Sequence, residues 1–172
     1  NVKEGKWIRP IGFGLEGRTL GILGFGAIGR EVSLMAKVMG MTVIAYDPFF
    51  NEAFAKENGI LKGTLDEVYE KSDFITLHMP VTPDTKYMIN TESIAKMKDG
   101  VILVNTSRGG LVKTDDLIEG IRARKFFGVG LDVYEEETKN VFEDRSDEIL
   151  EHSTTARLLS FPNVMITSHQ GF

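Results

Sequence analysis

Short apolar runs that alternate with amphipathic segments are the feature that most constrains the fold of this chain. The runs are TLGIL, MTVIAY, DFITLH, GVILVN, FFGVGLDV and NVMIT, and they are rich in Val, Ile and Phe. Several of them are almost continuously hydrophobic, which is typical of parallel strands that are covered on both faces. We therefore expect an α/β fold with a doubly wound parallel sheet and helices on both sides.

The segments between the runs have the patterns of helices. AIGREVSLMAKVMG carries Ile28, Val32, Met35 and Met39 at near-helical spacing, and Gly40 is the predicted stop of this helix. TLDEVYEKSD opens with a capping-box sequence, and NTESIAKMKDG and KTDDLIEGIRARK repeat the format, the last with Thr114 as the expected N-cap. Residues 134–160 form a long acidic connection, which in a compact domain is typical of a functional or partner-binding segment.

The composition excludes several classes of protein. The chain has 172 residues with 42% apolar and 26% charged residues, which predicts one globular domain. A net charge of −5 argues against nucleic acid as the main partner. No run approaches the roughly 20 apolar residues of a membrane span, and NVKEGKWIRP does not resemble a signal peptide. The absence of cysteine excludes disulfides, a thiolate nucleophile and a Cys-ligated metal, and we predict a cytoplasmic protein without a metal site.

A glycine motif follows the first predicted strand. LGILGFGAIGR places Gly24, Gly26 and Gly29 in G-x-G-x-x-G spacing at the start of a predicted helix, and the next strand ends on Asp47. This context is typical of a Rossmann-type dinucleotide site, where the pyrophosphate lies at the helix N-terminus and the acid binds the ribose hydroxyls. The carboxylate would repel a 2′-phosphate, which favours NAD over NADP. A simple glycine-rich turn, or a flavin or S-adenosylmethionine site, is the alternative.

Polar groups follow three later strands, at the sheet edge where doubly wound folds bind their ligands. Arg108 follows GVILVN, Asp132 and a run of glutamates follow GVGL, and His169 follows NVMIT. An arginine can bind a carboxylate with two hydrogen bonds, and a histidine can protonate a carbonyl oxygen while a carboxylate orients it. These groups suit hydride chemistry on a 2-keto acid. Taken singly, they could also be a surface arginine, a solvated acidic loop and an exposed histidine near the end of the chain.

Five motifs together resemble the D-isomer-specific 2-hydroxyacid dehydrogenases. They are LGILGFGAIGR with AYDP, LHMPVTPDT, VNTSRGGLV, GLDVYEEE and ITSHQ, and they occur in order over nearly the whole chain. The acidic NVFEDRSDEI insertion and the SHQGF ending are most similar to the D-lactate dehydrogenase branch. The resemblance implies an NAD-dependent oxidoreductase that interconverts a small 2-keto acid, pyruvate above all, and its D-2-hydroxy acid.

The resemblance also assigns roles to residues. Arg108 corresponds to the substrate-binding arginine, His169 to the acid/base histidine and Glu137, rather than Glu135 or Glu136, to the catalytic glutamate. Asp132 corresponds to a residue near the nicotinamide amide, and we interpret His78 as structural. The implied cofactor-binding residues are Gly24, Gly26, Ala27, Ile28, Gly29, Asp47, Met79, Pro80, Thr85, Thr106, Ser107, Arg108 and Asp132.

The resemblance further implies the organisation of the whole protein. Residues 1–172 are expected to form the NAD-binding domain, and the second domain that closes over the substrate in full-length members is expected to be absent from this chain. The resemblance implies dimers through the nucleotide-binding domain, and the arm at residues 1–18, with Trp7, Ile8 and Phe13, is the predicted contact; packing of Trp7 within the domain is the alternative. The alternatives are an NAD(H)-sensing protein of the corepressor type and a dehydrogenase for phosphoglycerate, glycerate or isocaproate.

Overall fold

A seven-stranded parallel sheet organises the protein. The computed structural model describes residues 12, 14–135 and 154–170. The strands follow the order β3-β2-β1-β4-β5-β6-β7 across the sheet. In chain order they are β1 Thr19–Leu23, β2 Thr42–Tyr46, β3 Leu61–Lys62, β4 Phe74–Leu77, β5 Val101–Asn105, β6 Phe126–Leu131 and β7 Val164–Ile166. The strand order reverses between β1 and β4, which confirms the predicted doubly wound fold.

Helices connect most of the strands. They are α1 Ala27–Val38, α2 Glu52–Glu57, α3 Leu65–Lys71, α4 Thr91–Lys96, α5 Thr114–Arg122 and α6 Thr154–Leu159. The capping box predicted at the start of α3 is present, since Glu67 N–H donates to Thr64 Oγ1 (3.2 Å) and Thr64 N–H donates to Glu67 Oε2 (2.9 Å). The predicted N-cap of α5 is wrong by one position, because the helix begins at Thr114 and Lys113 is its N-cap.

The core lies on both faces of the sheet. Val43 and Ala45 belong to one buried cluster and Ile44, between them, to the other. Because neighbouring side chains of a strand point to opposite faces, the two clusters are separated by the sheet. Burial on both faces explains why the strands read as continuous apolar runs.

Helix α1 packs differently from the expectation based on its apolar spacing. Its buried residues are Gly29, Ser33 and Ala36. The larger Ile28 and Met35 are 62% and 60% exposed. Only small side chains fit on the inner side, because a Cβ added to Gly29 would lie 2.0 Å from the Gly24 carbonyl oxygen. Ile28 and Met35 therefore face outward, whereas Val32 is partly buried against the core.

Three short elements were not predicted from the sequence. They are strand β3 and helices α2 and α6, which have two, six and six residues, respectively. Glu137 and most of the predicted dimer arm, including Trp7, Ile8 and Phe13, lie outside the described residues. Within the described part of the chain, no helix combines the length and the apolar character needed to cross a membrane.

Candidate active site

The glycine loop between β1 and α1 is shaped by close backbone contacts. Gly24 has a φ of +103°, and an added Cβ would lie 2.6 Å from the carbonyl carbon of His78. A Cβ on Gly29 would collide with Gly24, as described above. A Cβ on Gly26, by contrast, would have no atom of the described protein within 4 Å. The loop is thus packed at its first and last glycines and open at the middle one, where a pyrophosphate could approach the backbone.

The N-terminus of α1 has the features of an anion-binding site. Gly26 is the N-cap, and no side chain among the described residues caps the helix. The N–H groups of the first turn and the positive end of a 12-residue helix are therefore available to a ligand. Ala27 and Ile28 form that first turn.

Asp47 is bonded to the glycine loop. Its Oδ2 accepts from Phe25 N–H at 2.6 Å and its Oδ1 from Phe49 N–H at 2.7 Å. These two bonds fix the carboxylate at the carboxyl end of β2, beside Gly24 and Gly26. Each oxygen retains a lone pair, so the group can still accept from ribose hydroxyls.

Residues 79–90, which we call the cofactor loop, follow β4. Met79 is buried, whereas Pro80 is exposed and accepts a hydrogen bond from Thr85 Oγ1 at 2.7 Å. His78, just before the loop, is half-buried, and its Nε2 lies 3.0 Å from Thr76 Oγ1. Burial lowers the pKa of His78, which favours a neutral ring at pH 7.

Residues 106–113, which we call the arginine loop, follow β5 and include exposed Thr106 and Arg108. Fully buried Asn105 holds its first turn, because Asn105 Nδ2 donates to the Arg108 carbonyl at 2.9 Å and Asn105 Oδ1 accepts from Ser107 N–H at 3.0 Å. Ser107 Oγ donates to the Met79 carbonyl at 2.7 Å, which joins this loop to the cofactor loop.

Asp132 holds the turn that carries His169. Asp132 is 7% exposed, and its Oδ1 accepts from Gln170 N–H at 2.9 Å and from the Thr167 hydroxyl. His169 N–H donates to the Asp132 carbonyl at 3.0 Å. The histidine has a φ of +53°, so these bonds hold it in a left-handed conformation that non-glycine residues seldom adopt.

A chain of backbone bonds joins the ends of three strands. Asp132 N–H donates to the Asn105 carbonyl at 2.9 Å, and His169 N–H donates in turn to Asp132. The turn that carries Arg108 and the turn that carries His169 therefore lie at the same edge of the sheet, which is also the edge of the glycine loop. Glu137, outside the described residues, cannot be added to this geometry.

Comparisons with known proteins identify the family of the chain. Residues 1–171 match the family described as D-isomer specific 2-hydroxyacid dehydrogenase, NAD binding domain. The chain belongs to this family. NAD is therefore its cofactor, and the open backbone at Gly26 and the uncapped start of α1 fit the pyrophosphate of that molecule.

Relatives of known sequence extend over more than this domain. A 2-hydroxyacid dehydrogenase homolog of Haemophilus influenzae is 47% identical over 162 residues, which are 94% of this chain and 49% of the relative. A hydroxypyruvate reductase of Thermotoga maritima is 44% identical over 173 residues, 99% of this chain and 52% of the relative. The chain thus spans about half the length of the curated relatives that it matches.

Solved structures show the same fold. The D-lactate dehydrogenase of Aquifex aeolicus, complexed with NAD and lactic acid, matches 98% of this chain and 52% of its own with a TM-score of 0.88 and 37% identity. The pyruvate reductase of Chlamydomonas reinhardtii matches 99% of this chain and 52% of its own with a TM-score of 0.91 and 35% identity.

The sequence interpretation missed Asn105. Asn105 is the last residue of an apolar run, and a buried amide can satisfy two backbone groups of a following turn. The signal was present in the sequence, since an Asn that ends an otherwise apolar strand and precedes a polar turn rarely remains without hydrogen bonds.

Proposed function

We propose that the full-length protein reduces a small 2-keto acid to its D-2-hydroxy acid with NADH. The observation that carries the proposal is the chain of backbone bonds from Asn105 through Asp132 to His169. These bonds bring a guanidinium-bearing turn and an imidazole-bearing turn to the edge of the sheet that carries the glycine loop. A 2-keto acid offers a carboxylate for the first group and a carbonyl oxygen for the second.

Each residue has a distinct role in the proposed reaction. Arg108 binds the substrate carboxylate with two N–H donors and thereby fixes the carbonyl carbon. His169, in its protonated form, donates a proton to the carbonyl oxygen. NADH, when bound, supplies the hydride. Glu137 is proposed to orient the imidazole, and Asp132 holds the backbone of the histidine turn.

Pyruvate is the proposed substrate, and D-lactate the product. Solved relatives described as D-lactate dehydrogenases and as a pyruvate reductase support this choice. Other relatives carry different names, among them a hydroxypyruvate reductase and an aromatic 2-oxoacid reductase of Clostridium sporogenes that is 48% identical over 163 residues. A panel of pyruvate, hydroxypyruvate and phenylpyruvate, assayed with the full-length enzyme, ranks them directly.

The proposed acid/base role is tested by His169→Gln in the full-length enzyme. Loss of the proton donor should lower kcat for 2-keto acid reduction by about 10²–10⁴. The Kd for NADH should change by less than about twofold, since the glycine loop and Asp47 are untouched. Turnover at the wild-type rate would contradict the role of His169.

The role proposed for Asp47 is tested by cofactor choice. If the wild-type protein binds NADPH as tightly as NADH, that role is wrong.

The remaining proposals concern the whole protein. We take this chain as the NAD-binding domain of a longer enzyme whose second domain completes the substrate pocket. We also propose a homodimer that forms through the nucleotide-binding domain, in keeping with the exposed apolar side of α1. A cytoplasmic location accords with the absence of cysteine from the sequence, and fractionation of cells would test it.

A further inference from the structure

The cofactor loop and the arginine loop are joined along much of their length. Tyr87 N–H donates to the Gly110 carbonyl at 2.9 Å, and Ile89 N–H donates to the Leu111 carbonyl at 3.0 Å. Together with the bond from Ser107 to Met79, these contacts make the two loops one unit. A displacement of the cofactor loop would therefore displace the arginine loop as well.

A third segment, residues 132–135 after β6, packs against this unit. A Cβ added to Gly109 would lie 2.3 Å from the carbonyl carbon of Tyr134, so the two backbones are in direct contact. Glu135 follows, and its Oε2 accepts from Thr114 N–H at 2.8 Å. The same carboxylate also interacts with the hydroxyl groups of Thr114 and Tyr87.

The protonation states agree with this arrangement. Burial acts to raise the pKa of Glu135, but hydrogen bonds from Thr114 and Tyr87, with Lys86 nearby, outweigh it and lower that pKa. The hydrogen bond to Glu135 raises the pKa of Tyr87. At neutral pH the contact therefore joins a carboxylate acceptor to a phenol donor, and neither partner titrates near pH 7.

Tyr87 adopts a backbone conformation that needs such support. Its φ is +55°, which is uncommon for an aromatic residue. Its N–H bonds Gly110, its carbonyl accepts from Asn90 Nδ2 at 2.9 Å, and its hydroxyl reaches Glu135. The side-chain contact is thus one of three that hold the residue in place.

We propose that Glu135 is a positioning residue for Arg108, because its carboxylate ties Tyr87 of the cofactor loop and Thr114, the residue that follows the arginine loop, to the segment after β6. Arg108 is followed by Gly109 and Gly110, whose backbones are permissive, so the arginine loop depends on external contacts for its geometry. Glu135 acts through these contacts and not on the substrate, since its carboxylate is already occupied by donors. The proposal rests on the proposed role of Arg108 in binding the substrate carboxylate.

The test compares Glu135→Ala, Glu135→Gln and Tyr87→Phe in the full-length enzyme, with pyruvate and NADH. Binding by Arg108 is made in the ground state and the transition state alike, so Glu135→Ala should raise KM for pyruvate about tenfold with kcat nearly unchanged. Glu135→Gln keeps an oxygen acceptor and should stay within about threefold of the wild-type KM. Tyr87→Phe removes one donor only and should give an intermediate KM, even if Glu135→Ala fails to fold.

Glu67→Ala is the matched control. Glu67 also bonds a backbone N–H at a helix start, that of Thr64 at 2.9 Å, but its hydrogen-bond partners Thr64 and Lys71 both lie outside the two loops. This variant should lose stability and keep the wild-type KM. A wild-type KM in both Glu135→Ala and Tyr87→Phe, or an equal rise in KM for Glu67→Ala, would overturn the proposal.

Hydrogen exchange separates this proposal from the proposed function. Glu135→Ala should speed exchange of the Tyr87 and Leu111 amides, whereas Glu67→Ala should not. If the wild-type enzyme reduces no 2-keto acid, the proposed function fails. Hydrogen exchange then still tests whether Glu135 holds the two loops in place. If the Tyr87 and Leu111 amides exchange at the wild-type rate in Glu135→Ala, Glu135 does not hold the loops, whatever the activity of the variant.

Discussion

The glycines of the G-x-G-x-x-G loop have separable physical roles. Gly24 and Gly29 are required by packing, since an added Cβ would lie 2.6 Å from His78 and 2.0 Å from Gly24, respectively. A Cβ added to Gly26 would meet no other atom of the described residues within 4 Å, so packing does not require the absence of a side chain there. The space above it is where NAD is expected to bring its pyrophosphate.

This difference predicts opposite effects for two alanine substitutions. Gly29→Ala should destabilise the domain by about 1–3 kcal/mol, because the new methyl group overlaps a backbone oxygen that cannot move away. Gly26→Ala should change the free energy of unfolding by less than about 0.5 kcal/mol, since Gly26 has a φ of −74° that alanine accepts. It should instead raise the Kd for NADH about tenfold, because the methyl group fills the space for the phosphate. Thermal melts and NADH titration measure both quantities, and tight NADH binding by Gly26→Ala would refute the assignment.

Residues that follow strands were predictable to different degrees. Asp47, Arg108 and His169 are polar groups placed shortly after apolar runs, and the parallel sheet brings them to one edge. The role of Asn105 was not predicted, although its place at the end of an apolar strand signals hydrogen bonds; which groups it bonds, Ser107 N–H and the Arg108 carbonyl, is evident only in the folded turn. Glu135 was likewise treated as part of a solvated acidic run, since its partners are distant in sequence.

At the scale of elements, the sheet was more predictable than the helices that cover it. Strands buried on both faces are almost continuously apolar, and this pattern can be recognised in the sequence without knowing which elements pack against the strand. Strand β3 escaped detection because its Leu61 and Lys62 are both exposed at the sheet edge. Helix α1 was found from its period, but which side faces the sheet was not, since the small residues Gly29, Ser33 and Ala36 carry no hydrophobic signal.

The turn after β5 provides a prediction at this scale. Asn105→Ala removes the hydrogen bonds that the side chain makes to Ser107 N–H and to the Arg108 carbonyl. The loss of these two bonds should lower the free energy of unfolding by about 1–3 kcal/mol. Because the turn carries Arg108, KM for the 2-keto acid should also rise about tenfold in the full-length enzyme. Chemical denaturation and steady-state kinetics measure the two effects.

Asn163→Ala is the control for this prediction. Asn163 Nδ2 donates to the Phe126 carbonyl at 3.1 Å. Phe126 begins β6 and Asn163 precedes β7, so this bond lies at the amino ends of the strands, whereas the candidate site lies at their carboxyl ends. The variant should therefore lose stability and keep a normal KM. If both variants raise KM equally, the effect of Asn105 is one of general stability and not of local geometry.

At the scale of the whole molecule, the described surface has an apolar stripe that folding leaves uncovered. Ile28, Met35 and Val38 of α1 and Met39, its C-cap residue, are 62%, 60%, 90% and 55% exposed. The stripe borders a groove of about 560 Å³ between α1 and α2, lined in part by Val32 and Phe54. Contiguous exposed apolar surface of this kind is typical of a protein–protein contact.

The proposed homodimer makes this stripe the site to test. Met35→Glu together with Val38→Glu should convert a dimer to a monomer in sedimentation experiments, because two charges would be buried without partners at the contact. Both positions are exposed in the single chain, so the thermal stability of the monomer should change little. Leu159→Glu is the matched control, since Leu159 is 57% exposed on α6, at the other end of the sheet, and its replacement should leave the dimer intact. A double variant that sediments as a dimer would exclude α1 as the contact, and the first 18 residues of the chain would become the next segment to replace.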